Sequence, residues 1–167
     1  MFVLACSLSR ARSGVRVEVV TQILAMLNAG ITPVVPELGS VGASGDLAPL
    51  AHIAEVMIGE GHAILNGTIK PGIEALALAN LQPLTLQAKE GLALINGTHL
   101  MTARFALIEQ DLVQLVDAAL IANAMSIDAA RASHGYLDQR VYVARNQPGA
   151  AEVASTMRAL LSGSTIV

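Results

Sequence analysis

Apolar side chains recur along this chain at two different spacings, and the changes of spacing divide it into elements. Over residues 2–12 and 15–28 they recur at helical spacing, which predicts two helices meeting antiparallel at Ser13-Gly14. The second carries Val17, Val20, Ile23, Leu24 and Leu27 on its apolar side and stops at Asn28-Ala29-Gly30. The stretch ITPVVPELGSVGASG then holds two prolines and three glycines, too many for a regular element. Its apolar Val34, Val35, Leu38 and Val41 predict a loop packed on the core rather than a linker. Helical spacing resumes over residues 47–58, with Asp46 at the N-cap position and Pro49 tolerable in the first turn. HAILNGTIKPG alternates about Asn66-Gly67, a hairpin signal. Short helices are expected over 73–81 and 89–95.

After Asn96-Gly97-Thr98 the pattern runs without Gly or Pro to His134, which predicts one helix of unusual length. Leu100, Ala103, Leu107, Leu112, Leu115, Val116, Ala119 and Leu120 form its broad apolar stripe. An irregular connection follows over Gly135 to Gly149, then a last helix over 150–161. The fold expected is mainly α, an elongated helical bundle with one small β-hairpin, in a single domain over residues 1–167.

Composition adds a constraint on what surrounds the chain. Hydrophobic residues make up 53% and charged residues only 14%, while aromatics are 2%, so Leu, Ala, Val and Ile carry the apolar mass. The longest apolar runs are interrupted by polar or charged residues short of the roughly 18 needed for a membrane span. The excess is therefore expected to be buried against other subunits or against further chain, because a monomer rarely leaves large apolar patches in water. A net charge of −3 without a basic cluster excludes nucleic acid as an expected partner. No basic segment precedes the apolar start and arginines follow it, the wrong order for a signal peptide, so a cytoplasmic location is expected. Cys6, alone and among apolar neighbours, is expected to be a buried structural thiol. His52, His62, His99 and His134 offer no pair at the spacing of a helical metal site, and no metal is expected.

The chemistry concentrates at Gly39 to His52, GSVGASGDLAPLAH. Gly42-Ala43-Ser44-Gly45-Asp46 is not a nucleophile elbow, since Asp stands where the last glycine belongs, and the glycine spacing fits neither nucleotide pattern. What the small residues do allow is close approach of the Gly45 nitrogen to the Ala43 carbonyl. Attack there with loss of two waters would turn Ser44 into a methylidene conjugated to a five-membered imidazolone. The product is an electrophile that no ordinary side chain supplies.

This stretch resembles the signature of the aromatic amino acid lyase family, the histidine, phenylalanine and tyrosine ammonia-lyases with their related aminomutases. SGVR at Ser13–Arg16, LNAGITPVVPELGSVGASGDLAPLAHIAEVMIGEGHA and AKEGLALINGT at Ala88–Thr98 extend the likeness. The tail keeps Asp138, Arg140, Arg145 and Gly149, but has Tyr142 where many members carry histidine and Ala150 where glutamine is usual. The resemblance covers the chain and corresponds to the central part of a member.

It implies that Ala43, Ser44 and Gly45 form the 4-methylidene-imidazol-5-one (MIO) group, with Asp46 as both helix cap and participant in ring formation. Asn96 and, beside it, Gly97 are implied to orient or polarise the ring; from local sequence alone Asn96 reads first as a plain helix cap, and the resemblance reverses that preference. Helix starts at Asp46–Pro49 and at Gly97-Thr98 would aim unpaired N–H groups at the ring oxygen. Asn66, in its hairpin, is a turn residue, and Lys89 and Glu90 read as surface charges. The resemblance also implies a homotetramer acting on a small-molecule amino acid, with base and lid tyrosines and a carboxylate-binding arginine outside these residues. The expected reaction is elimination of ammonia from an aromatic L-amino acid, histidine (giving urocanate) favoured. A 2,3-aminomutase and an inactive core that only folds and associates stay open.

Overall fold

The two leading helices form, each shorter at one end than its pattern suggests. In the computed structural model, which describes residues 1–166, α1 spans Phe2–Leu8 and α2 Val17–Asn28. The buried side of α2 is Val19, Ile23 and Met26, whereas Val17, Leu24 and Leu27 of the expected side are exposed. With apolar residues on more than one side of this helix, periodicity alone does not choose which side turns inward. On α1 the buried residues are Leu4, Ala5 and Leu8. Cys6 points away from that side and is exposed, so the expected buried thiol is corrected. Each fully buried Leu, Ile or Met of this cluster contributes roughly 1.5–3 kcal/mol.

The chain divides into two compact units, Met1–Ala106 and a second that begins at Leu107. In the first, strands β1 (Thr32–Pro33), β2 (His62–Leu65) and β3 (Thr68–Pro71) make one antiparallel sheet in the order β1-β2-β3. The predicted hairpin is β2–β3, with Leu65 opposite Thr68 and His62 opposite Pro71. Asn66 (φ 51) and Gly67 (φ 76) both take the left-handed conformation that a two-residue hairpin turn needs. β1 is an addition, pairing Thr32 with Ile64 and Pro33 with Ala63.

Helix α3 (Leu47–Met57) supplies Leu50, Ile53, Ala54, Val56 and Met57 to the core. α4 covers Gly72–Leu78, and α5 (Glu90–Ile95) buries Leu94 and packs on α3. The loop ahead of α3 lies down only at its start. Ile31 is buried and Val35 packs on the core, but Leu38 (89% exposed) and Val41 (88%) stand out in water, contrary to expectation. Pro36 to Gly39 and Val41 to Ser44 are exposed in succession, so the middle of the loop stands clear of the core.

Helix α6 is continuous over His99–Ala129. Of its predicted stripe, Leu107, Leu112, Leu115 and Val116 are each more than half exposed. In the second unit, Ala124 and Ile127 of α6 join Leu137, Ala154, Met157 and Leu161 in a separate cluster. The expected irregular connection is largely regular: a 3-10 turn (Gly135–Leu137) leads into α7 (Gln139–Arg145), and α8 follows over Pro148–Leu160. Asp138 caps α7 by accepting from the Arg140 N–H at 2.8 Å, and Asn146 (φ 50) ends it in the left-handed conformation. Among the described residues no helix is long and apolar enough to cross a membrane.

Candidate active site

Gly45 and Gly97 meet backbone to backbone. Gly45 sits at φ +147, a conformation open essentially to glycine, and a Cβ placed there would lie 2.8 Å from the Gly97 carbonyl oxygen and 3.1 Å from its nitrogen. The next N–H, that of Asp46, donates to the same Gly97 oxygen at 2.8 Å. The tripeptide Ala43-Ser44-Gly45 is thereby docked on the Asn96-Gly97-Thr98 turn, 53 residues further along the chain. Ala43 and Ser44 are exposed while Gly45 and Asp46 are buried, so the reactive letters stand at the surface on a fixed base.

The Asp46 carboxylate does not cap its own helix. Oδ1 accepts from the Ser40 hydroxyl at 2.7 Å and Oδ2 from the Met101 N–H at 2.9 Å, so the side chain caps α6 instead. An N-cap side chain bonds the N–H two or three positions on, and at α3 the third of these is Pro49, which has none. Asp46 still marks the start of α3, where its carbonyl receives the Leu50 N–H at 3.0 Å. One consequence alters the expected electrostatics: of the α6 first-turn donors, that of Met101 is occupied by a protein carboxylate rather than aimed at a ligand.

Asn96 closes α5 in an extended conformation (φ −96, ψ 90), its N–H donating to the Leu92 carbonyl at 2.9 Å. The residue is exposed, and among the described residues its side chain caps no helix. Gly97 is small for a different reason from Gly45: a Cβ there would run into the imidazole of His99. That ring is partly buried, which holds its pKa below the usual histidine range against the opposing pull of Asp46. Its Nδ1 is buried and has no hydrogen-bond partner among the described residues.

Glu90, expected at the surface, is 2% exposed. Its Oε1 accepts from Arg16 N at 3.1 Å and Nε at 2.9 Å, and its Oε2 from Arg16 Nη2 at 2.9 Å and Gln87 N at 2.8 Å. The Arg16 side chain, then the Gln87 amide, holds this carboxyl at about 2. Arg16 Nη2 also donates to the Thr85 carbonyl at 2.8 Å. The pair ties the start of α2 to the start of α5, the short helix that delivers Asn96 and Gly97. A pairing across 74 positions leaves no periodicity in the sequence; the occurrence of both residues in the family-like segments SGVR and AKEG is the one signal that could have marked them. Lys89 is exposed, as expected. No group of three or more His, Cys, Asp or Glu side chains placed to hold a metal occurs among the described residues.

A mainly helical scaffold that docks an Ala-Ser-Gly tripeptide on a second glycine turn, with the following carboxylate capping the long helix after that turn, defines the class of this protein. The chain belongs to the aromatic amino acid lyase family, whose model matches residues 1–167. It is 50% identical over 161 residues to a histidine ammonia-lyase of Aromatoleum aromaticum, covering 96% of this chain and 30% of that protein. Among solved structures it resembles the Pantoea agglomerans phenylalanine aminomutase (TM-score 0.90, 34% identity, 99% of this chain and 32% of that one). It also resembles the phenylalanine ammonia-lyase of Rhodosporidium toruloides (TM-score 0.92, 35% identity, 99% of this chain and 26% of that one). The chain spans about a third of the length of the curated relatives it matches.

Proposed function

We infer that this chain carries the electrophilic centre of an ammonia-lyase that removes ammonia from an aromatic L-amino acid, with histidine as the substrate. The observation that carries the reading is the Gly45–Gly97 junction, which joins the two motif segments and leaves Ala43 and Ser44 accessible. Histidine is favoured over phenylalanine and tyrosine because relatives near 50% identity are histidine ammonia-lyases.

Ala43, Ser44 and Gly45 would themselves become the MIO group. The fit rests on Gly45: its φ of +147 and its contact with Gly97 exclude any larger residue at the ring-closing nitrogen. When formed, the group supplies an electrophilic carbon for the substrate amine and a sink for electrons. Asp46 anchors the C-terminal side of the tripeptide through its N–H on Gly97 and its carboxylate on α6. Asn96, exposed beside Gly97, would orient polar groups at the tripeptide, and Gly97 gives the clearance that a side chain would remove. Burial lowers the pKa of His99 and so favours its neutral form.

Association of copies, as a homotetramer, belongs to the same proposal. Phe105 (71% exposed), Leu107, Leu115 and Met125 on α6 support it, since an apolar surface of this extent calls for a covering partner.

The likeness to an aminomutase structure supports a second reading, in which the amine returns to the neighbouring carbon. Product analysis of the intact protein with L-histidine separates them. The lyase reading predicts free ammonia and the unsaturated acid; a β-amino acid without released ammonia overturns it.

A further inference from the structure

We propose that Ser40 is a positioning residue for closure of the Ala43-Ser44-Gly45 ring, acting through Asp46 and the Gly42 amide, an inference that rests on the ring-forming reading above. The serine hydroxyl has one proton and two lone pairs, and both kinds of capacity are used across the tripeptide. The proton goes to Asp46 Oδ1 at 2.7 Å, and the oxygen accepts from the Gly42 N–H at 3.2 Å. Ser40 therefore ties together the two residues that flank Ala43, Ser44 and Gly45.

The far flank is already fixed to the scaffold. Asp46 N–H bonds the Gly97 carbonyl, and its Oδ2 holds the Met101 N–H. Among the described residues the near flank has no comparable anchor of its own: Val41, Gly42 and Ala43 are exposed, and Gly42 (φ +63) is free to take conformations closed to other residues. The Ser40 bridge is what transfers the fixed position of Asp46 to Gly42.

Closure needs the Gly45 nitrogen to reach the Ala43 carbonyl carbon, so an N–C bond forms between residues on either side of Ser44. The first water carries away the Ala43 carbonyl oxygen with the Gly45 and Ser44 amide protons. The second carries the Ser44 hydroxyl with the Ser44 Cα proton. Nothing is oxidised or reduced, and no co-reactant is needed. Holding Gly42 and Asp46 together narrows the conformations of the three residues between them, which raises the fraction poised for attack. A hydrogen bond to a carboxylate is stronger than one between neutral groups, so it is suited to resist the spreading of the loop.

The test follows ring closure directly, without relying on turnover. The intact protein is made by cell-free synthesis, sampled over time, and the peptide spanning residues 39–47 is weighed for loss of two waters. Ser40→Thr keeps the hydroxyl, and Ser40→Val has the same shape without it. Ser40→Ala, compared with the unaltered protein, is a second and smaller truncation should the Val variant not fold. Ser40→Val is expected to lose water at least about tenfold more slowly than Ser40→Thr, and Ser40→Ala similarly more slowly than wild type, as removal of a hydrogen bond to a charged group implies. Melting temperatures should match within each pair. Equal rates within the pairs that fold, or slowing that only follows a fall in melting temperature, overturn the role of Ser40. A wild-type peptide of unmodified mass overturns the ring-forming reading itself, and this inference with it.

Discussion

The triplet Asn-Gly-Thr occurs at residues 66–68 and again at 96–98, and the two copies fold into unlike structures. At the first, Asn66 and Gly67 turn the β2–β3 hairpin, both at positive φ. Gly67 is there for conformation: a Cβ on it would meet nothing within 4 Å. At the second, Gly97 has no such backbone requirement and is there for space, facing His99 on one side and receiving Gly45 on the other. The same letters thus serve a turn in one place and a junction in the other. What distinguishes them is the element that arrives from elsewhere in the chain.

Substitutions that treat the copies differently sharpen this contrast. The largest effect is expected at the residue that the Gly97 junction serves: Ser44→Ala should abolish lyase activity while the circular dichroism of the helices stays unchanged. Gly97→Ala comes next. A methyl group there must displace the His99 ring or shift the backbone on which Gly45 rests, and a shift of about 1 Å at a reacting centre costs on the order of a hundredfold in kcat. Glu90→Gln tests whether the short helix behind the second copy is held by charge. The folded carboxyl lies at about 2 against an ordinary 4.5, so its stabilisation is complete above 4.5 and is lost as pH falls from 4.5 toward 2. Acid melting curves of the intact protein should lose that component in the variant; identical curves would mean that Arg16 does not hold it. The smallest effect is expected at the first copy, where Gly67→Ala strains the turn by about 1 kcal/mol and leaves kcat unchanged.

Features that depend on local chemistry were open to sequence reasoning. The hairpin announced itself by alternation about Asn66-Gly67, α6 by the absence of Gly and Pro, and the Ala-Ser-Gly tripeptide by its small neighbours. α7 is hard to read from sequence although Asp138 and Asn146 are ordinary cap residues, because the prolyl and glycyl breaks around it outweigh a seven-residue pattern. The buried side of α2, the exposure of Cys6 and the projection of Leu38 and Val41 depend on which neighbours are present, and apolar character alone does not decide that. Glu90 and Asp46 are the clearest cases. Their partners, Arg16 and Met101, lie 74 and 55 positions away, and a charge beside a helix start reads equally as a solvated cap. Asp46 does stand at the start of α3, yet its carboxylate serves α6, since Pro49 withholds one of the usual donors.

The central claim is that the backbone at Gly45, braced on Gly97, reacts with Ala43 and consumes Ser44. It is tested most directly by tandem mass spectrometry of the peptide containing residues 43–45 from the intact wild-type protein, beside the same peptide from Ser44→Ala. The account predicts a loss of two waters confined to Ala43-Ser44-Gly45 in the wild type and an unmodified alanine peptide in the variant. A wild-type tripeptide that keeps both waters contradicts it.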